Sequence, residues 1–275
     1  MRELKGRTAL VTGASGGLGR HVARALAAEG MHLAVSGRNR AALQALCEDL
    51  RPFGVRVQPV AADLALPGAA ERLAQAASDA VGPVQLLVNN AGTAIASSFT
   101  RLAAEELERV IGVDLTAPVL LTRALLPAML AAGEGHVVNV SSLAGRGALP
   151  YGVAYAAAKW GLVGVTQSLR AEYADAPVGF SVVVPGYVTG EGIFARYQAR
   201  GVRAPAVVGT TTPQAVARAV VRAVRRDLPE VYATPYPVRP LLALAVLAPR
   251  MAERLAARMG MFAYPREAAR LEGRL

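Results

Sequence analysis

The sequence predicts an α/β fold in which a parallel sheet is covered by helices on both faces. Short runs rich in β-branched residues alternate with longer stretches rich in alanine and leucine, which is typical of strand–helix–strand units. Some runs, such as Val137–Val138 and Val182–Val184, are apolar at consecutive positions, as expected of strands buried on both faces. With 275 residues, 53% of them hydrophobic, the chain can form one large domain with a sizeable core, and disorder over most of its length is excluded.

Six runs are predicted as strands and six stretches as helices, in alternating order. The strands are Thr8–Thr12, His32–Ser36, Val55–Val60, Val84–Asn89, His136–Ser141 and Phe180–Val184. The helices are 18–29, 40–51, 68–80, 102–131, 152–174 and 213–226. Since no internal repeat or linker interrupts this alternation, we predict a single α/β domain over residues 1–235.

Residues 236–275 are predicted to form a helical, arginine-rich extension beyond the sheet. Several prolines punctuate its start, Leu241–Ala248 is an uncharged apolar run, and Met251–Met261 has the pattern of an amphipathic helix. The formal net charge of +10 comes mostly from this end, because residues 196–275 carry 14 Arg against 5 acidic side chains. A basic face of this kind could meet anionic lipid, an acidic partner or another subunit, or it could simply be solvated.

The composition excludes several classes of protein. The first 195 residues are nearly neutral, which argues against a nucleic-acid-binding surface. A single cysteine, Cys47, excludes an internal disulfide framework, and three scattered histidines make a metal site unexpected. No uninterrupted apolar run has the length of a membrane span, and the first residues lack the apolar core of a signal peptide. We therefore expect a cytoplasmic protein with no metal.

A glycine-rich turn follows the first predicted strand and precedes the first predicted helix. It reads Thr-Gly-Ala-Ser-Gly-Gly-Leu-Gly over Thr12–Gly19. Glycines allow a tight turn and let backbone N–H groups approach a pyrophosphate at the positive end of the next helix. A glycine motif alone is weak, but its position between strand and helix strengthens it. The residues expected to contact a dinucleotide here are Gly13, Ser15, Gly16, Gly17, Leu18 and Gly19.

The end of the second strand indicates which dinucleotide is bound. A carboxylate there would favour NAD(H) by binding the ribose 2′-hydroxyl. This strand instead ends Ser-Gly-Arg-Asn-Arg, and Arg38 can bind a 2′-phosphate with help from Arg40. NADP(H) is therefore preferred and NAD(H) remains possible, since Arg38 could merely cap the loop. Asp63 and Leu64, after the third strand, are placed to reach the adenine, although Asp63 could equally cap a helix.

Tyr155 and Lys159 form the candidate catalytic pair. Their spacing of four residues puts both on one face of the predicted helix 152–174. Lysine is rare in this chain, which otherwise uses arginine, and a compact ammonium can lie under a phenol and hold ribose hydroxyls. A nearby cation favours phenolate, so we expect Tyr155 to exchange protons near neutral pH. The alternative is an ordinary surface Tyr–Lys pair.

Two further strand ends carry polar or small residues at the edge where ligands bind in open parallel sheets. Ser142 follows the fifth strand and is placed to hydrogen-bond a substrate oxygen. The fourth strand ends in Asn89-Asn90-Ala91-Gly92, and its small residues would leave room for the nicotinamide ribose.

Taken together, these motifs resemble the short-chain dehydrogenase/reductase family, in its single-domain subgroup of about 250 residues. The resemblance covers roughly residues 5–235. The matching elements, in the order that the family has them, are Thr12–Gly19, Asp63, Asn89–Gly92, Ser142, Tyr155, Lys159, Pro185, Gly186 and Thr189.

The resemblance implies a Rossmann-type doubly wound sheet in the order 3-2-1-4-5-6-7 and an enzyme that acts on CH–OH groups. It implies Tyr155 as acid/base, Lys159 as ribose holder and Ser142 as substrate positioner. It also implies cofactor contacts from the strand ends, at Asn90, Ala91, Gly92, Pro185, Gly186, Val188 and Thr189. In this family the predicted helices 102–131 and 152–174 usually pair two subunits, so a homodimer or homotetramer is expected.

One position departs from the family pattern. Where the family usually has an asparagine in a proton relay to the lysine, this chain has Asp114. A carboxylate near Lys159 could bind its ammonium more tightly, so we expect activity with a shifted pH optimum. Asp114 is also the feature that favours the alternative function, a non-catalytic NADP(H)-binding sensor or scaffold on the same fold.

The segment after the sixth strand, 187–212, is the family's variable substrate region. Its apolar residues, with Leu149 and Tyr151, suggest a bulky hydrophobic carbonyl or alcohol as substrate. Its arginines could bind a substrate carboxylate or an acyl-carrier phosphopantetheine, or could be solvated. We expect the extension after residue 235 to cap the substrate pocket or to lie on an anionic membrane surface. The alternative is that Leu241–Ala248 packs on the core or on a second subunit.

Overall fold

The structure is a computed structural model, and it describes residue 1 and residues 3–275. Seven strands form one parallel sheet in the order β3-β2-β1-β4-β5-β6-β9, which confirms the predicted doubly wound α/β architecture. Two short strands, β7 and β8, pair separately. The strands are β1 (Thr8–Val11), β2 (His32–Gly37), β3 (Val57–Ala61), β4 (Leu86–Asn89), β5 (Gly135–Val140), β6 (Val178–Pro185), β7 (Tyr187–Val188), β8 (Thr210–Thr211) and β9 (Glu230–Ala233).

Helices lie on both faces of the sheet and follow it at the carboxyl end of the chain. They are α1 (Gly17–Ala28), α2 (Arg40–Leu50), α3 (Ala69–Val81), α4 (Ala104–Ile111), α5 (Ala117–Ala131), α6 (Val153–Glu172), α7 (Ile193–Gln198), α8 (Pro213–Arg226), α9 (Arg239–Leu247), α10 (Pro249–Arg258) and α11 (Ala263–Leu271). The sequence-predicted helices agree with these within about two residues.

The core is split between the two faces because neighbouring residues of a strand point in opposite directions. On β1, Ala9 and Val11 pack with α1, α2 and α8, while Leu10 packs with α3 and α5. All three side chains are completely buried. This is why β1 is apolar at consecutive positions, Ala9 to Val11, rather than at alternate ones.

The seventh strand of the sheet is β9, which was absent from the six strand-like runs. Its sequence, Glu-Val-Tyr-Ala, is short and begins with a charged residue, as suits an edge strand with one partner. The pairing of β9 with β6 completes the sheet.

Helices α4 and α5 form one continuous helical rod joined by a wide π turn, Gly112–Thr116. By length and composition the rod, Ala104–Ala131, could cross a membrane. Its residues Leu121, Leu125 and Met129 pack in the core beside α3 and the sheet, and a core helix meets the same criteria. The π turn contains Asp114, and such turns recur at functional sites.

The extension beyond the sheet consists of α9, α10 and α11. Leu241–Ala248 falls largely in α9, which has no buried residue, while α11 packs through Ala268 and Leu271 on Tyr197 and Val202. The two halves of the extension therefore differ, since α11 contributes a buried residue to an apolar cluster, whereas α9 has none and touches the sheet through Arg239, which lies over the Tyr232 ring.

Candidate active site

A polar cleft of about 460 Å³ lies beyond the carboxyl ends of β1, β2, β4 and β5. Most of the sequence-predicted cofactor residues line it. These are Gly13, Ser15, Gly16, Gly17, Leu18, Arg38, Asp63, Leu64, Asn90, Ala91, Gly92, Tyr155 and Lys159. Ends of parallel strands meet at one sheet edge, so segments far apart in sequence converge here.

The glycine turn has room only for glycine at two positions. Gly13 has φ +66°, and a Cβ there would lie 2.8 Å from Cα of Ala91. At Gly19 a Cβ would lie 2.2 Å from the carbonyl oxygen of Gly13. Gly19 is absent from the cleft lining, and its contribution is to let α1 pack close against the turn.

The first turn of α1 is free to bind an anion. Its N-cap residue, Gly16, supplies no side-chain hydrogen bond, and no acidic residue lies in the first turn. The N–H groups of the first turn and the positive end of the helix dipole therefore face the cleft. A dinucleotide pyrophosphate fits this chemistry.

The ribose and adenine side of the cleft contains Arg38 and Asp63. Arg38 lines the cleft directly after β2, where the chain has no acidic residue. Asp63 also lines it, and its Oδ1 accepts a hydrogen bond from the backbone N–H of Ala65 at 3.1 Å. Helix α3 begins only at Ala69, so Asp63 caps a turn and not a helix.

Thr12 joins the glycine turn to the end of β4. Its hydroxyl oxygen accepts hydrogen bonds from the backbone N–H groups of Asn90 and Ala91, each at 3.0 Å. The Asn90 amide donates back to the carbonyl of Thr12 at 2.9 Å. These hydrogen bonds fix the position of the glycine turn relative to the end of β4.

Tyr155 and Lys159 lie one turn apart on α6, and Lys159 is tied to Asp114. The Lys159 ammonium is 5.4 Å from the centre of the Tyr155 ring and 3.2 Å from Oδ2 of Asp114. It also donates to the carbonyl of Val140 at 3.2 Å. The Asp114 carboxylate is completely buried, and its Oδ1 accepts from the backbone N–H of Thr93 at 2.7 Å.

Gly92 makes room for this ion pair. A Cβ at Gly92 would lie 2.8 Å from Oδ2 of Asp114 and 3.3 Å from Nζ of Lys159. Gly92 thus serves the packing of the carboxylate and the ammonium, and the ribose contact expected of the small residues after β4 stays a prediction.

The burial of this group of side chains shifts their pKa values. Burial raises the pKa of Tyr155 above its ordinary value, and although Lys159 lowers it, the charge of Asp114 raises it further. Burial alone would lower the pKa of Lys159, but the charges of Asp114 and Tyr155 raise it. Burial raises the pKa of Asp114 against the opposing effect of Lys159. The direction for Tyr155 is opposite to the sequence-based expectation, because desolvation and Asp114 outweigh the cation.

Two serines follow β5 and serve different contacts. The Ser141 hydroxyl donates to the backbone carbonyl of Lys159 at 2.9 Å and so fastens α6 to the end of the strand. The Ser142 hydroxyl accepts from the backbone N–H of Ala144 at 3.2 Å and lines a second cavity next to the cleft. Ser142 is thus placed to donate its hydrogen to a ligand in that cavity.

The second cavity is a mostly apolar pocket of about 160 Å³. Tyr155 lines both this pocket and the polar cleft, and so lies where the two meet. Pro185, Gly186 and Val188, which were expected to contact the cofactor, line the apolar pocket. Other lining residues are Leu149, Tyr151, Tyr187, Ile193, Phe194, Tyr197, Tyr264, Pro265 and Ala268.

Thr189 lies outside the linings of both cavities. Its hydroxyl donates to the carbonyl of Thr211 at 3.3 Å, and its N–H donates to the same oxygen at 3.0 Å. In this structure Thr189 therefore joins β7 to β8.

The sequence analysis did not identify Tyr264, which reaches the pocket from α11. Its ring packs edge-on against the rings of Tyr187, Phe194 and Tyr197, with centroids 5.0, 5.3 and 6.0 Å away. Burial raises the pKa of Tyr264 well above its ordinary value and raises that of Tyr187 to about 12. Nothing local in the sequence distinguishes Tyr264, since its role depends on how α11 packs.

The three arginines in 187–212 lie in different places relative to the two cavities. Arg196 lines the polar cleft rather than the apolar pocket, and Arg200 donates to the carbonyl of Leu271 in α11 at 3.0 Å. Arg203 lines neither cavity. Within residues 1 and 3–275, no group of three His, Cys, Asp or Glu side chains comes together as metal ligands.

Comparison with known proteins agrees with this geometry. Residues 7–201 match the short chain dehydrogenase family. The chain is 36% identical over 248 residues to the ketoacyl reductase HetN of Nostoc, covering 90% of this chain and 85% of that one.

Two solved structures share the fold. One is a short chain dehydrogenase/reductase from Burkholderia phymatum in complex with NAD, with a TM-score of 0.80 and 26% identity, covering 91% of this chain and 96% of that one. The other is a metagenomic short-chain oxidoreductase in complex with NADP, with a TM-score of 0.71 and 34% identity, covering 84% and 97%. From the family match, the relatives and the doubly wound sheet, we conclude that this chain belongs to the short-chain dehydrogenase/reductase family of oxidoreductases.

Proposed function

We propose that the protein is an NADP(H)-dependent oxidoreductase that interconverts a hydrophobic ketone or aldehyde (or acyl thioester) and its alcohol. The observation that carries this proposal is the position of Tyr155, whose side chain lines both the polar cleft and the apolar pocket. A carbonyl group held in the pocket would meet the phenol at the boundary with the cleft. There the proton donor and the cofactor can act on the same carbon–oxygen bond.

In this proposal each residue has a defined step. A bound nicotinamide would supply or accept the hydride. In reduction, Tyr155 donates its phenolic proton to the substrate oxygen, and Ser142 donates a hydrogen bond to the same oxygen. In oxidation, the Tyr155 phenolate takes the proton back. Lys159 provides positive charge beside the phenol and is assigned to the cofactor ribose, while Asp114 positions Lys159.

The preference for NADP(H) is supported by Arg38 at the end of β2, in a cleft where the free amides of α1 fit a pyrophosphate. Solved relatives bind NAD in one case and NADP in another, so NAD(H) is a second possible cofactor. Asp63 and Leu64 line the cleft and are proposed to contact the adenine.

The substrate class is supported by the walls of the pocket. They are mostly apolar and aromatic, and Ser142 and Tyr155 supply the polar groups that a carbonyl oxygen needs. The name of the Nostoc relative, a ketoacyl reductase, agrees with an acyl thioester as one candidate. The sensor alternative gives no reason for a serine, a phenol and a buried ammonium to meet at the junction of the two cavities.

The test is nicotinamide absorbance with NADPH and with NADH against hydrophobic ketones, aldehydes and ketoacyl thioesters. Tyr155→Phe removes the proton donor and should lower kcat by about 10²- to 10⁴-fold. Tyr151→Phe is the matched control, because Tyr151 lines the apolar pocket but not the cleft. Equal turnover by Tyr155→Phe and the parent would reject the proposal. Tight NADPH binding without turnover of any substrate would favour the sensor.

We also propose a homodimer or homotetramer in the cytoplasm, with a peripheral contact made by the basic extension. Exposed apolar side chains on α6, Val153 at 44% and Trp160 at 45%, support pairing of this helix with a second copy. Light scattering after size exclusion measures the mass directly. A monomeric mass would reject the oligomer. Nucleic acid is not proposed as a partner.

A further inference from the structure

Helices α9 and α10 form a helical hairpin with an exposed apolar edge. At the end of α9, Val246 is 75% exposed and Leu247 is 83% exposed. On α10, Met251 and Leu255 are 55% and 37% exposed and lie one turn apart. We call these four residues the hairpin edge. Large aliphatic side chains clustered in this way mark a contact with something apolar outside the chain.

The hairpin is attached at both ends to fixed parts of the fold. It follows β9, and α11 follows it. The end of the chain is bound to the body of the protein, because Arg274 donates to both carboxylate oxygens of Glu106, at 2.7 and 2.8 Å. The backbone N–H of Ser98 donates to the carbonyl of Arg274 at 2.7 Å. Between these attachments, α9 and α10 pack mainly against each other, so the edge projects from a fixed base.

A row of arginines borders the hairpin edge. Arg250, Arg254 and Arg258 are spaced by four residues, so they share one side of α10, next to Met251 and Leu255. All three are exposed, and the ion pairs found within residues 1 and 3–275 do not include them. Glu253 is the single acidic residue of the sequence between 236 and 262. The surface next to the apolar edge is therefore strongly positive.

We propose that the hairpin edge docks on the surface of an anionic lipid bilayer. Aliphatic side chains at a projecting corner can enter the boundary between headgroups and acyl chains, and long arginine side chains can reach the phosphates beside them. The four side chains of the hairpin edge are aliphatic, whereas protein interfaces favour aromatic anchors seated in pockets. The observed combination fits lipid better than an acidic protein.

This proposal deepens the peripheral contact proposed above by naming its partner and its residues. It also connects that contact to the pocket, because the helix directly after α10 is α11, which supplies Tyr264 to the pocket wall. A lipophilic carbonyl compound taken from the bilayer would reach a pocket whose wall includes α11, the helix that follows the docking hairpin.

Vesicle flotation of the full chain tests the proposal. Vesicles of phosphatidylcholine alone are compared with an equal mixture of phosphatidylcholine and phosphatidylglycerol, at low and at higher salt. We expect binding to the anionic vesicles that weakens with salt. Leu247→Ser together with Met251→Ser removes two apolar side chains of the hairpin edge. This double variant should partition onto the anionic vesicles about tenfold or more weakly than the parent. Arg250→Gln with Arg254→Gln should reduce it by roughly tenfold at low salt.

Matched controls separate the edge from general surface properties. Leu66→Ser with Phe99→Ser removes two other exposed apolar side chains, and Arg51→Gln with Arg218→Gln removes the same charge elsewhere. Both controls should float like the parent. Thermal melting of every variant reports folding, and flotation requires no turnover, so loss of the oxidoreductase proposal would leave this test valid.

Several outcomes would overturn the proposal. These are absence of binding by the parent, equal binding to neutral and anionic vesicles, and equal losses in the control variants. A lower oligomer mass for Leu247→Ser with Met251→Ser would assign the edge to a second copy of the chain. Full competition by polyglutamate, with binding unaffected by the apolar replacements, would assign the surface to an acidic protein.

Discussion

Asp114 couples the buried Lys159 to Tyr155, the proposed proton donor. Its carboxylate lies 3.2 Å from the Lys159 ammonium and raises the pKa of Tyr155, whereas an asparagine would keep the hydrogen bond from Thr93 without the charge. Reduction needs a protonated phenol, so its rate falls as pH rises through the pKa of Tyr155. The carboxylate therefore extends the reductive reaction toward higher pH.

The first prediction is that Asp114→Asn stays active but its pH profile moves. Without the negative charge the pKa of Tyr155 falls, so the alkaline limb of kcat/KM for reduction should shift to lower pH. Steady-state rates from neutral to alkaline pH measure the shift. Asp49→Asn removes an exposed carboxylate and is the control. Superimposable profiles for Asp114→Asn and the parent would contradict the proposed coupling.

The second prediction concerns Arg38, which lines the cleft at the end of β2. Removing a hydrogen bond to a charged group costs about 1.5–3 kcal/mol, so Arg38→Ala should weaken NADPH binding by roughly 10- to 100-fold. NADH binding should change little, because NADH has no 2′-phosphate. Fluorescence titration of both cofactors measures this, with Arg51→Ala as control. An equal loss of affinity for NADPH and NADH would mean that Arg38 does not bind the 2′-phosphate.

At the scale of elements, α11 closes the apolar pocket. Tyr264 is in contact with three aromatic rings from β7 and α7, so it joins the extension to the variable segment after β6. Aromatic pairs of this kind contribute about 0.5–1.5 kcal/mol each beyond the area they bury. The extension thus forms part of the pocket wall, which was one of the two roles expected for it.

The third prediction is that Tyr264→Ala raises KM for a bulky hydrophobic substrate by about tenfold, because the pocket loses an apolar wall. The Kd of NADPH should stay unchanged, since Tyr264 does not line the cleft. Tyr264→Phe keeps the ring and should behave like the parent, and Tyr236→Ala removes an exposed tyrosine as control. A parallel loss of NADPH binding would indicate a general structural defect instead.

For the whole molecule, a buried histidine makes stability depend on pH. His136 on β5 is completely buried, its Nε2 lies 2.8 Å from the Ser181 hydroxyl, and its Nδ1 has no hydrogen-bond partner among residues 1 and 3–275. Burial lowers the pKa of His136 to about 3 from 6.5, mainly because the charged ring would lose its hydration. The folded protein therefore keeps the ring neutral at pH values where the unfolded chain protonates it.

The fourth prediction follows from that difference. The stability that the protein gains by keeping His136 neutral is fully present above pH 6.5. It is lost as the pH decreases toward 3, since in this range only the unfolded chain takes up the proton. At about pH 5 the loss in the free energy of unfolding should be about 2 kcal/mol. Urea unfolding at neutral and acidic pH measures it. His136→Gln should make the free energy of unfolding less dependent on pH, whereas the control His21→Gln should leave this dependence as in the parent. An unchanged slope in His136→Gln would reject this origin.

Patterns within short segments predicted much of the fold and of the cleft. Strand and helix positions agree within about two residues because each reflects a local alternation of apolar and polar side chains. The edge strand β9 was missed because it has only four residues and begins with a charged one, so it is too short to show this alternation. The helix of the Tyr155–Lys159 pair was foreseen, since a spacing of four fixes a shared face.

The sequence by itself determined the class of fold, the glycine turn and the shared helix face of Tyr155 and Lys159, because each depends on residues close together in the chain. Only the tertiary structure decided how deeply those groups are buried and which charges and side chains lie next to them. Burial and the Asp114 charge set the direction of the Tyr155 pKa, and packing of α11 put Tyr264 into the pocket. Desolvation and contacts between distant segments arise from the folded arrangement as a whole, so no local spacing encodes them.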